Sequence, residues 1–90
     1  MKGSENMYIL VGSSTTAERL KKSMEKILGF PAYVVHTPSA ISTGGCSYCV
    51  RADDRALNEI RSIANDNGIP IKNIYITKTE NGERVYHAVS

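Results

Sequence analysis

The sequence predicts a single α/β (α+β) domain of ferredoxin-like plan, in which a split pair of β-α-β units forms an antiparallel sheet with both helices on one face. Three observations predict it. Runs of β-forming residues alternate with two apolar stripes at helical spacing. Gly29-Phe30-Pro31 and Gly68-Ile69-Pro70 each join a helix to the next strand, so two halves of similar length follow one another. Ninety residues make one domain and no more. Connection rules then place the first four strands in the order 4-1-3-2. A fifth strand is expected, but its place in the sheet is not legible.

The elements follow in order. Met7-Tyr8-Ile9-Leu10-Val11 is a continuous apolar run ended by Gly12 and reads as a strand with both faces occupied. Ala17, Leu20, Met24, Ile27 and Leu28 form the apolar stripe of a first helix, with Lys21, Lys22 and Lys26 on its solvated side. Thr15 and Glu18 have the spacing of a capping box, and Gly29 stops the helix. Tyr33 to Val35 is a second strand, and an irregular stretch runs from Pro38 to Gly45. Cys46 to Arg51 is a third strand, and Asp53 or Asp54 caps a second helix. That helix buries Ala56, Leu57, Ile60, Ile63 and Ala64 and stops at Gly68. Ile71 to Thr77 is a fourth strand, and Asn81-Gly82 turns the chain into a short last strand around Val85-Tyr86-His87.

Composition narrows the function classes. The chain is 41% hydrophobic and 22% charged with net charge +2, far from the basicity of a nucleic-acid binder. No apolar run reaches the ~18 residues of a membrane span. Residues 1–6 lack the apolar stretch of a secretory signal and are expected to be a disordered tail before a domain over 7–90. Two cysteines without a signal fit a reducing, cytoplasmic setting. A core this thin also suits a homodimer that covers a further face.

The chemistry concentrates at Cys46. In the predicted plan the third strand runs antiparallel beside the first, so its start meets the Gly12-Ser13-Ser14 turn where the first helix opens. Free amides and the dipole at a helix N-terminus favour an anion and lower a thiol pKa from ~8.5. Ser42, Thr43, Gly44 and Gly45 lead into Cys46, and the glycine pair lets backbone amides approach a ligand closely. Two readings of Cys46 stay open at this point: a reactive thiolate in an anion pocket, or a small buried apolar residue.

Cys49 completes a Cys-x-x-Cys spacing, yet strand alternation puts Cys46 with Tyr48 and Val50 on the helix side and Cys49 with Ser47 and Arg51 on the other. In an extended strand the two Cα atoms are about 10 Å apart, beyond the ~7 Å a disulfide bridges. Cys49 therefore reads as structural, and as a second thiol only if Cys46 lies in a turn. No second Cys pair follows, and His36 and His87 lack finger spacing, so no metal and no cofactor is expected. The third strand also lacks the aromatic run of an RNA-binding sheet. Arg51 reads as a strand-end charge for Asp53 or Asp54, or as a holder of an anionic group.

From Ile41 through Ser-Thr-Gly-Gly-Cys-Ser-Tyr-Cys-Val to Arg51, the chain resembles the small-domain family of selenium/sulfur carrier-like proteins. That family reads Ile-Ser-Ser-(Gly/Ser)-Cys-Gly-(apolar)-(small)-(apolar)-Arg between a Pro-containing loop and the second helix. The likeness covers about residues 7–77. Cys46 takes the place of the family cysteine, Ser42 to Gly45 that of its loop, Ser47 that of its usual Gly and Cys49 that of a small residue. The resemblance implies a carrier rather than an enzyme, whose thiol holds sulfur or selenium as a persulfide or perselenide received from donor proteins and passed to acceptor proteins. The residues suit this, since the plan puts neither histidine near Cys46 as a general base. Two other classes remain in play: a regulatory module that binds a ligand or partner, and a thiol-disulfide protein using Cys46 and Cys49.

Overall fold

The structure, a computed structural model, describes residues 6–29, 31–42 and 48–89. Its elements are β1 (Asn6–Leu10), α1 (Ser14–Leu28), β2 (Ala32–His36), β3 (Tyr48–Asp53), a 3-10 turn (Asp54–Ala56), α2 (Leu57–Asp66), β4 (Asn73–Glu80) and β5 (Glu83–Val89). All strand pairs are antiparallel, in the order β2-β3-β1-β4-β5. The first four strands thus stand in the predicted 4-1-3-2 order, and β5 takes the edge beside β4. Among the described residues, no helix is long and apolar enough to cross a membrane.

The central strand explains why both sheet faces are apolar. Met7 and Ile9 of β1, with Val11 just beyond it, point towards the helices. There they pack with Ala17, Leu20 and Met24 of α1, Ile60 and Ala64 of α2, and Val50 and Ala52 of β3. Tyr8 and Leu10 point the other way and form a second, smaller cluster with Cys49 and Ile41, flanked by Val35, Tyr75 and Tyr86. Period-two alternation sorts these residues, and the continuous apolar run of β1 is the signature of a strand covered on both sides.

Both helix stops fall at the expected glycines. Gly29 has φ 76° and donates its amide to the Glu25 carbonyl. Gly68 has φ 66°, its amide bonds to Asn65 and that of Ile69 to Ala64, which is the paired-bond glycine stop. The Asn81-Gly82 turn has positive φ at both positions, 53° and 81°. Asp53 is the cap at the second helical segment: its Oδ1 accepts from the Arg55 amide at 2.9 Å.

Five local expectations need correction. The cap of α1 is Ser13, not a Thr15–Glu18 box: Ser13 Oγ accepts from the Thr16 amide at 3.1 Å, and the Ser13 carbonyl takes the Ala17 amide. Ser13 has extended backbone, so the helix already opens at Ser14 and Thr15 falls inside its first turn. Ile27 is 57% exposed, because Leu28 takes the core side of the last turn. β3 continues past Arg51 to Asp53, since Ala52 and Asp53 still find partners in Met7 and Asn6. The β4–β5 hairpin reaches Glu80 and Glu83, longer than its apolar pattern suggests, because the tight turn brings polar residues on both sides into the ladder. The expected strand start at Cys46 and residues 1–5 of the expected 1–6 tail lie outside the described residues, whereas Asn6 is not tail but the first residue of β1, paired with Asp53.

Glu25 ties α1 to β2. Its Oε1 accepts from Lys21 Nζ at 3.1 Å and its Oε2 from the Ala32 amide at 3.3 Å. The Lys21 hydrogen bond, and then the Ala32 amide, hold its carboxyl below the ordinary glutamate value. Ser13→Ala is expected to cost ~1 kcal/mol by orphaning the Thr16 amide. A urea midpoint that drops at constant slope would report it, and an unchanged midpoint would show that the cap is dispensable.

Candidate functional site

The predicted site is framed by the end of β1, the opening of α1, the loop after β2 and the start of β3. Leu10 pairs with Cys49 across β1 and β3, so the start of β3 does lie beside the end of β1. Ser13 and Ser14 are exposed there, at the cap and the first turn of α1. The first-turn amides of Ser14 and Thr15 have no acceptor within the helix, which makes this end an anion-friendly one.

The loop towards the cysteine is held at its entrance. Ile41 is 5% exposed and packs against Tyr8, Leu10 and Cys49 on the sheet face away from the helices, and its amide closes a turn onto the Pro38 carbonyl at 3.0 Å. Ser42 follows it, exposed. Thr43, Gly44, Gly45, Cys46 and Ser47 lie outside the described residues. The chain is described again at Tyr48, whose ring stacks at a tilt on that of His36, 4.8 Å between centroids. The Thr37 hydroxyl, just before Pro38, is buried and has no hydrogen-bond partner among the described residues.

Cys49 is fully buried, on the face away from the helices, as alternation predicts. Val50, on the helix side, belongs to the main core. Arg51 is half-buried and stands at the other end of β3, with its guanidinium carbon 5.1 Å from the centre of the Tyr33 ring. Asp53 meanwhile binds the Arg55 guanidinium at 3.0 Å. Ser13 and Ser14 thus follow the end of β1 that pairs with the start of β3, Ser42 is exposed just after the Ile41 anchor on the opposite face, and Arg51 stands further along β3.

Sequence reasoning missed two features. Ile41 falls in the stretch that reads as irregular, although a lone β-branched apolar residue after Pro38 is a fair sign of an anchor. The Tyr33–Arg51 stack was readable only with the β2–β3 register, which makes these two residues direct partners. His36 is exposed at the end of β2, and His87 pairs with Glu80 at 3.0 Å on the β4–β5 hairpin. Among the described residues no three metal-binding side chains come together.

A family model described as putative Se/S carrier protein-like matches residues 6–76. Neither curated proteins nor solved structures give a significant match.

Proposed function

Because the chain belongs to the Se/S carrier protein-like family, we propose that it carries sulfur or selenium on Cys46 between donor and acceptor proteins. The observation that carries the residue choice is the burial of Cys49. The chain has two cysteines, and Cys49 is sealed beneath Tyr8, Leu10 and Ile41 with no exposed surface. Chalcogen transfer requires that one sulfur reach another. Cys46, two residues ahead of Tyr48 and behind two glycines, is the thiol that this burial leaves for the task.

The transfer balances without an added oxidant. The Cys46 thiolate attacks the terminal sulfur of a donor persulfide, whose S–S bond breaks as a new one forms on Cys46 Sγ. The donor cysteine leaves as a thiolate, and nothing is oxidised or reduced overall. A donor perselenide would leave selenium on the same atom. The product is an anion at neutral pH, and the opening of α1, beside the start of β3, supplies amides and positive dipole to favour it.

The same burial argues against a thiol-disulfide cycle between Cys46 and Cys49. Such a cycle would draw Cys49 out of its apolar cluster at every turnover, at the cost of buried contacts with Leu10 and Ile41. Mass spectrometry after incubation with a persulfide-bearing cysteine desulfurase tests the proposal. Wild type and Cys49→Ala are expected to gain one sulfur atom that a reductant removes, and Cys46→Ser to gain none. An adduct that survives Cys46→Ser, or that vanishes with Cys49→Ala in a folded protein, would overturn it.

A further inference from the structure

At the end of the sheet where β1 and β2 begin and β3 finishes, a cleft of about 380 Å³ opens between Asn6, Pro31, Tyr33, Arg51, Asp53 and Arg55. Its volume falls in the ~300–1,000 Å³ range of small-molecule sites. Its charges are unequally matched. Asp53 takes the Arg55 guanidinium at 3.0 Å and also accepts from the Arg55 amide. Arg51 instead lies over the Tyr33 ring, and among the described residues no carboxylate or carbonyl accepts from its guanidinium. A half-buried guanidinium presents a planar fork of donors, and stacking on an aromatic ring occupies its face while leaving that fork open.

We propose that this cleft binds a small carboxylate with a planar or apolar body. The fork of Arg51 matches the two oxygens of a carboxylate. The body of the ligand rests against the exposed ring of Tyr33 and the edge of Pro31. One uncompensated positive charge, with Asp53 close by, suits a monoanion better than a phosphate dianion. The site makes no use of Cys46 and stands or falls independently of the carrier reading.

Titrating the full chain with benzoate, followed by backbone amide NMR, tests this, with benzamide as the neutral isostere and phenyl phosphate as the competing anion. Benzoate is expected to shift the amides of Tyr33, Arg51 and Ala52 saturably, while benzamide leaves them in place. Arg51→Gln is expected to weaken benzoate at least about tenfold, as loss of a charge-assisted fork does. Should Arg51→Gln not fold, Arg51→Lys keeps the charge, loses the fork and is expected to weaken binding as well. Equal shifts with benzoate and benzamide, unchanged affinity in the folded Arg51 variants, or phenyl phosphate binding tenfold tighter than benzoate would each overturn the assignment.

Discussion

Leu10→Ala is expected to lower stability by ~2–5 kcal/mol, a large part of the ~5–13 kcal/mol that 90 residues ordinarily hold. A two-helix, one-sheet plan suggests that residues on the face away from the helices matter little. Here the opposite holds, because Leu10 is fully buried on that face among Tyr8, Ile41 and Cys49. Truncation removes apolar contact on the central strand and leaves a space among Tyr8, Ile41 and Cys49, flanked by Val35, Tyr75 and Tyr86 on a sheet whose strands are fixed by their ladders. The backbone cannot close that space, so the cost stays near the upper part of the range unless Ile41 moves in. Urea denaturation should show a reduced midpoint with little change in slope. A loss under ~1 kcal/mol would mean that the second cluster is not a core. The same substitution loosens the seat of Ile41, so it should also disturb the loop leading to Cys46. The equivalent change on the helix side, where many side chains can shift, should leave that loop in place.

The plan of the domain was legible because its signals are local and mutually consistent. The stripe Ala17, Leu20 and Met24 ends at a glycine that takes positive φ, and the stripe Ile60, Ile63 and Ala64 ends at another. Ahead of both, the apolar run of β1 announces a strand with two covered faces, and that run lies at the middle of the sheet. What the sequence hid depends on register or competition. Ser13 and Thr15 both have a cap partner three residues on, and only the backbone decides that Ser13 is the one at the helix boundary. Ile27 and Leu28 compete for one core position in the last turn, and spacing alone favours neither.

At the site, the same distinction applies. Alternation along β3 was enough to send Cys49 to the face away from the helices and Val50 towards them. It was not enough to pair Arg51 with its true neighbour. Asp53 and Asp54 are close to Arg51 in sequence, but Tyr33 is its partner across the β2–β3 ladder, and Asp53 is turned to Arg55 by the cap it forms. A side chain two residues away along a strand shares its face at ~7 Å, whereas a cross-strand partner stands at ~5 Å. The cross-strand ring is the nearer, and its face attracts a guanidinium.

Alkylation of the two thiols should differ by orders of magnitude in the folded protein. Cys49 has no exposed surface, so its reaction must wait for opening of the sheet, and its rate should track the unfolding equilibrium. At ~5 kcal/mol of stability that equilibrium alone slows reaction by more than about a thousandfold. The carrier reading requires Cys46 to react directly and as a thiolate, with a rate midpoint below the ~8.5 of an ordinary cysteine. The sign follows from the charge: amides and dipole at a helix opening stabilise the anion, so the proton leaves at lower pH, and added salt should move the midpoint back up. Iodoacetamide labelling against pH, read peptide by peptide, checks both statements. One fast thiol with a depressed midpoint and one slow thiol released by urea is the expected pattern. A Cys46 midpoint at or above ~8.5 would make it an ordinary thiol. Two fast thiols would mean that Cys49 leaves its cluster readily, and the thiol-disulfide cycle would then become the better account of this pair.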